Sequence, residues 1–189
     1  MTTDSARAPA PGSLKLVQEF VNTLDVEAGQ DLLSGGEDLA AWLREQGLPG
    51  GDGAIDDSDA ASARALREAL RALLRANAGG ALDPAATALV NGLAARAPLR
   101  MELDAAGTAS LHEAGHEGVD AALARILAAV YTATADGTWG RFKACLDPEC
   151  EWAFYDRSRN RSSHWCDMAA CGSRHKVRAY RARRHTPGQ

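Results

Sequence analysis

The sequence predicts an α+β fold: a mainly helical N-terminal domain with one β-hairpin, joined to a short cysteine-bearing module that ends in a basic helix. Three observations lead there. The 189-residue chain is 46% hydrophobic but only 5% aromatic, an Ala- and Leu-rich balance that suits helices and supplies a sizeable core. Apolar residues recur at helical spacing over most of the first 137 positions, interrupted by one alternating stretch. Charge is divided unevenly: residues 1–138 hold 10 Lys+Arg against 20 Asp+Glu, a balance of −10, and residues 139–189 hold 11 against 5, a balance of +6, together with all four cysteines.

Taken in order, residues 1–12 are rich in Ala and Pro and are expected to be disordered. In SLKLVQEFVNTLD, Leu14, Val17, Phe20, Val21 and Leu24 fall on one helical face, so a first helix is expected to end near Asp25. Asp38 can cap a short second helix through Trp42 and Leu43, stopped by Gly47 and Pro49. After the connector GLPGGDGAIDDSD, Leu66, Leu70, Leu73 and Leu74 line one face of a long helix closed by Gly79 and Gly80. Asp83 and Pro84 supply the N-cap and first-turn proline of another, lasting to about Arg96. Leu99, Met101 and Leu103 then alternate with polar residues, DAAG makes a turn and TASLH returns, which reads as the β-hairpin. Val119, Leu123, Ile126, Leu127, Val130 and Tyr131 restore a helical stripe up to Asp136-Gly137. The domain is therefore expected over residues 13–137 and the module over 138–186.

Within the module the spacing is Cys145-x4-Cys150, with Asp147-Pro148 as a turn signal in the first loop, fifteen residues, then Cys166-x4-Cys171. Two short cysteine loops can bring four sulfurs to about 2.3 Å from one Zn2+, which favours four tetrahedral ligands. Disulfides and inert buried thiols are the alternative readings; in a reducing compartment, clustered thiols favour a metal. Between the pairs, EWAFYD reads as a strand, DRSRNRSS as a turn and SHWC as a returning strand, a zinc-ribbon-like hairpin too small to fold without its ion. One structural Zn2+ per chain is expected.

After Cys171 comes GSRHKVRAYRARRH. As a helix it places Arg174, Arg178, Arg181 and His185 on one stripe and Val177 and Tyr180 on an adjacent one that can pack on the ribbon. With Lys176, Arg183 and Arg184, and with Arg157, Arg159 and Arg161 at the hairpin turn, this is a one-signed cationic surface suited to phosphates. A charged tail can also be merely a solvated face, but here it stands beside a metal module in an otherwise acidic chain.

The segment from Cys145 to Arg184 resembles the CGNR zinc finger. The resemblance rests on both cysteine pairs, on WAFYDRSRNR from Trp152 to Arg161, on WCDM from Trp165 to Met168, and on Cys171-Gly172 followed by Arg174 and Lys176. FVNTLD and DLAAWLREQGL resemble the ABATE domain, which accompanies this finger in bacterial proteins described as stress-induced transcription regulators. The resemblance implies that Cys145, Cys150, Cys166 and Cys171 are the zinc ligands and that DNA is the partner. The signature's third residue departs: Ser173 stands where the family has Asn, and its hydroxyl can cap the following helix.

A second motif, HEAGH from His112 to His116, satisfies the H-E-x-x-H pattern of zinc proteases. That chemistry needs both histidines one turn apart on a rigid helix, whereas here a predicted strand precedes the motif and Gly115 adjoins His116, so exposed turn residues are expected. No Gly-rich phosphate loop or cluster of catalytic polar residues is visible, and the chain is not expected to be an enzyme. No run approaches the eighteen or more apolar residues of a membrane span, and the start lacks a signal-peptide pattern, so a cytoplasmic location is expected. Asn22, Thr23 and Asp25 read as capping and turn residues. The reading that follows is a transcription regulator whose zinc module binds DNA and whose N-terminal domain senses a small-molecule effector or forms a homodimer. RNA, stacked on Trp152 or Tyr155, and an acidic protein surface, including the chain's own body, are the alternative partners.

Overall fold

The structure, a computed structural model, describes residues 8–114 and 117–185, with side chains through Arg183. Helix α1 (Leu14–Val21) buries Leu14, Val17, Phe20 and Val21 as their spacing requires. It stops at Asn22, short of Asp25, because the Thr23 hydroxyl donates to the Phe20 carbonyl and the chain turns. Leu24–Asp25 becomes β1, paired antiparallel with β2 (Gln30–Asp31). Of the twelve residues expected to be disordered, the first seven lie outside the described residues, and Ala10 is buried with its N–H donated to Gln18 at 2.6 Å.

Helix α2 (Gly36–Glu45) is capped at Gly35 rather than Asp38, which sits in the first turn and accepts from the Ser34 hydroxyl. Glycine is needed at 36: a Cβ there would stand 2.4 Å from the Ile55 carbonyl oxygen. Helix α3 (Asp57–Asn77) opens on a capping box formed by Asp56 and Asp59 and closes at Gly79, whose φ of +98° suits a residue without Cβ. Its inward face carries Leu66, Leu70 and Leu74, and also Arg67 and Arg71, each 2% exposed. Arg67 grips Asp31 with two bonds of 2.6 and 2.9 Å, and Arg71 donates to the carbonyls of Val21 and Glu151. These buried cations are tolerable only because carboxylates and carbonyls occupy them.

Helix α4 (Pro84–Arg96) begins at its Asp-Pro cap as expected. Strands β3 (Leu99–Leu103) and β4 (Ala109–Glu113) form the predicted hairpin in the register Leu99↔Glu113 to Leu103↔Ala109. Helix α5 (Gly118–Ala135) is long and apolar enough by length and composition to cross a membrane, yet much of it is buried inside the protein, where Ala122, Leu123 and Ile126 share one core with residues of α1 and α3.

The C-terminal module departs from the expected hairpin. Strand β6 (Ala153–Tyr155) pairs not with SHWC but with β5 (Phe142–Ala144), which precedes the first cysteine. The Cys145–Cys150 loop is thus the connection of a β-hairpin, and residues 156–167 are irregular. Pairing with β5 buries Phe142, Ala144 and Ala153 in the same core as α1, α3 and α5, which a hairpin hanging between the cysteine pairs could not do. A five-residue π-turn, Met168–Gly172, leads into α6 (Ser173–His185).

Candidate metal centre and basic helix

The first knuckle is tied at both ends by backbone. Cys145 N–H donates to the Trp152 carbonyl at 3.0 Å, and Cys150 and Glu151 N–H both donate to the Asp147 carbonyl. Glu151 adopts a left-handed φ of 52° and is held there by Arg71 on its carbonyl and Arg75 on its carboxylate. In the second knuckle Asp167 accepts from Ala169 and Ala170 N–H, capping the π-turn that carries Cys171. The cap of the final helical segment is therefore Asp167; Ser173, expected to cap, is helical and exposed, with its hydroxyl 3.4 Å from the Met168 carbonyl.

These loops bring the Sγ atoms of Cys145, Cys150, Cys166 and Cys171 within 4.8 Å of one another, all buried. Cys150 and Cys166 lie 3.6 Å apart and Cys166 and Cys171 3.8 Å. Tetrahedral zinc with 2.3 Å bonds to sulfur requires ligand separations of about 3.8 Å, whereas a disulfide requires about 2.05 Å. The residues present therefore fit one structural Zn2+. Hydrogen bonds with Cys150 and Cys166 draw the Cys145 thiol down to about 4, and the hydrogen bonds that Cys150 and Cys166 give to Cys145, aided by burial and its charge, push their own thiols up. Burial pushes Cys171 up as well. Four thiolates can share this pocket only around a cation.

A buried ion pair absent from the sequence reading fixes the loop after β6. Lys143, on β5, donates to Asp156 at 2.8 Å and to the carbonyls of Arg161 and Ser163 at 2.7 and 3.0 Å. Asp156 also accepts from the N–H groups of Ser158 and Ser163. Burial pushes the Asp156 carboxyl up, but the Lys143 bond and the loop donors outweigh it and hold it well below the usual carboxylate range. On this loop Arg157 reaches back to the Pro9 carbonyl at 2.6 Å and lies 5.5 Å from the Tyr155 ring centroid. Arg159 is exposed, and Arg161 is exposed with a left-handed φ of 52°.

Helix α6 docks by the face that the sequence reading turned outward. Arg174 and Arg178 both bond to Asp147, whose side chain is 0% exposed, and Arg178 also pairs with Glu149 at 3.1 Å. Arg174 reaches Glu27, in the β1–β2 turn, at 2.6 Å. Burial pushes the Asp147 carboxyl up, but the Arg178 bond and both guanidinium charges hold it below its ordinary value. His175 stacks on Trp165 with centroids 4.7 Å apart. Val177 and Tyr180, expected to pack on the ribbon, are 47% and 53% exposed. Lys176, Arg181 and Arg183 are exposed, and Arg184 lies in α6 with its side chain outside the described residues.

Sequence reasoning missed Lys143, Asp156 and Glu27, and read Asp147 only as a turn residue. It assigned Asn22 to capping; its amide instead donates to the Ala153 carbonyl at 3.0 Å and accepts the Ala153 N–H at 2.8 Å, pinning β6 to α1. In HEAGH, His112 and Glu113 are half-buried on β4, where successive side chains take opposite faces, and Glu113 pairs with Arg125. His116 lies outside the described residues.

The profile of the ABATE family, described as "Putative stress-induced transcription regulator", matches residues 14–137. That of the CGNR zinc finger matches residues 141–184. No curated protein matches the chain.

Proposed function

The chain belongs to the ABATE family and ends in a CGNR zinc finger, and on that premise we propose that it is a transcription regulator whose zinc module and α6 bind duplex DNA. The observation that carries this reading is the set of cations left over once internal pairing is complete. Arg159, Lys176, Arg181 and Arg183 are exposed and form no ion pair with any described residue, although the chain as a whole is acidic. An acidic body repels DNA, so binding is directed to these cations. Arg157 and Arg161 share the loop of Arg159, and Arg184 follows Arg183 in α6. Arg174 and Arg178 already have carboxylate partners, and Arg174's link to Glu27 means that part of the basic helix rests on the chain's own acidic body.

Duplex affinity is expected to fall steeply with salt, with a log–log slope near −0.9 per phosphate engaged. In a Lys176→Ala/Arg181→Ala/Arg183→Ala variant that slope should shrink by roughly 1 for each contact removed. Salt-independent binding, or an unchanged slope in the variant, would sink the reading. Single-stranded RNA is the weaker partner on this view, because Trp152 and Tyr155 are half-buried and Tyr155 lies beside Arg157, leaving no open stacking platform there.

For a small effector, a cavity of 420 Å³ between α1, α2 and Trp152 has a suitable volume and sits where the N-terminal helices meet the zinc hairpin. Trp42 and Trp152 contribute its aromatic walls, with Lys15, Glu19 and Glu45 at its margin. A ligand there would touch both the helices and the residue that follows the first knuckle.

A further inference from the structure

Arg174 belongs by sequence to the cationic stripe, yet its guanidinium is already held by three partners within the chain. Nη2 donates to Cys171 Sγ at 3.2 Å, Nε to the buried Asp147 at 2.7 Å, and Nη1 to Glu27 at 2.6 Å. The three acceptors come from three parts of the chain: the second knuckle, the first knuckle and the β1–β2 turn of the N-terminal body. Each acceptor meets a different nitrogen of the planar guanidinium, a spread of donors that the single nitrogen of an ammonium does not reproduce. A cation bonded to a ligand sulfur also offsets the net −2 of zinc held by four thiolates. A phosphate at this fork would compete with Asp147 and Glu27, which already hold it.

We propose that Arg174 is a positioning residue of the zinc centre: it supports the Cys171 thiolate as a ligand through an N–H···S hydrogen bond and ties both knuckles to the N-terminal body, and it is not a nucleic-acid contact. Arg178 provides the internal comparison. It bonds to the same Asp147 and to Glu149, but to no sulfur among the described residues.

The test compares the full-length zinc protein with Arg174→Gln and Arg178→Gln by chelator competition and by the thiolate-to-metal charge-transfer band after cobalt substitution. Arg174→Gln should weaken zinc binding about 10–100-fold, the range for loss of a group supporting a metal ligand, and should move the band to longer wavelength as the sulfur loses its donor. Arg178→Gln should hold zinc within about twofold of wild type, the resolution expected for losing a bond that touches no ligand, with the band unmoved. Wild-type zinc affinity in Arg174→Gln overturns the proposal, as does an equal loss in both variants, which would make the Asp147 clasp the operative element. If Arg174→Gln does not fold, Arg174→Lys decides: with all its donors on one nitrogen, lysine cannot keep the spread of the guanidinium's three bonds, so a several-fold weaker zinc affinity is expected and wild-type affinity overturns. The nucleic-acid clause rests on the DNA reading above. With zinc saturating, the salt slope of Arg174→Gln should equal wild type, and a slope smaller by about 1 would make Arg174 a phosphate contact. If wild type binds no duplex, the DNA reading fails while the zinc measurements still decide the role of Arg174.

Discussion

Replacing Lys143 by methionine should cost the fold about 3–5 kcal/mol, the range for removing one partner of a buried ion pair. The side chains of Lys143 and Asp156 are 3% and 1% exposed. All three ammonium hydrogens are spent, on Asp156, the Arg161 carbonyl and the Ser163 carbonyl. Methionine keeps the length of the stem but leaves Asp156 buried with only neutral donors, from Ser158 and Ser163. The two orphaned carbonyls belong to an exposed loop that water can reach, so they add little, and the carboxylate dominates. With a urea m-value of about 2 kcal/mol/M, the unfolding midpoint should fall by about 2 M. A Lys143→Met/Asp156→Leu double variant, which removes the stranded charge, should be more stable than the sum of its single changes. A loss below about 1 kcal/mol in Lys143→Met would refute the reasoning, because it would mean that the pair is no better than an exposed one.

Acid should act through the same network. Burial pushes the carboxyls of Asp31 and Asp156 up, but the Arg67 bond on the first and the Lys143 bond on the second outweigh it and hold both below their ordinary value. Their folded values lie below the unfolded value of about 3.9, so they contribute stability above that pH and lose it as pH falls through the folded values. Stability measured by urea titration should decline below about pH 4, with a shallower slope in Asp156→Asn; an equal slope would exclude Asp156 as a source. Zinc removal should lower the thermal midpoint of the whole chain in one transition, since Phe142, Ala144 and Ala153 share the core of α1, α3 and α5. Circular dichroism melts with and without chelator test this, and helices melting unchanged while the module unfolds would count against it.

Elements whose signals are local were legible. Asp83-Pro84 started α4, Gly79 closed α3, and alternation at Leu99, Met101 and Leu103 gave the β3–β4 hairpin. The four cysteines were legible for the same reason: the chemistry of zinc constrains residue type and spacing together, and the sulfurs converge as that spacing requires. What failed depended on distant partners. EWAFYD was read correctly as a strand, but its mate could not be chosen from alternation, because Phe142–Ala144 is too short to show a period. Arg67 and Arg71 lie on the apolar face of α3 and were invisible as core residues, since a guanidinium is buried only if Asp31 or a carbonyl waits for it. Asn22 looked like a cap because its partner, Ala153, lies 131 positions away.

The reversed face of α6 follows from the same physics. A helical wheel separates Arg174 and Arg178 from Val177 and Tyr180 but does not say which stripe meets the protein, and hydrophobicity favours the second. Two features of the neighbouring surface reverse that choice. The knuckle against which the helix lies presents Asp147 with its side chain fully buried, and a buried carboxylate without a cation is costlier than an exposed valine or tyrosine. Glu27 and the Cys171 sulfur add further acceptors for the same guanidinium. Arg174 and Arg178 are therefore drawn inward, and Lys176, Arg181 and Arg183 are left facing solvent. The orientation of α6, and with it the set of cations offered to a polyanion, is thus governed by Asp147, a residue whose place in the first knuckle had suggested only a turn.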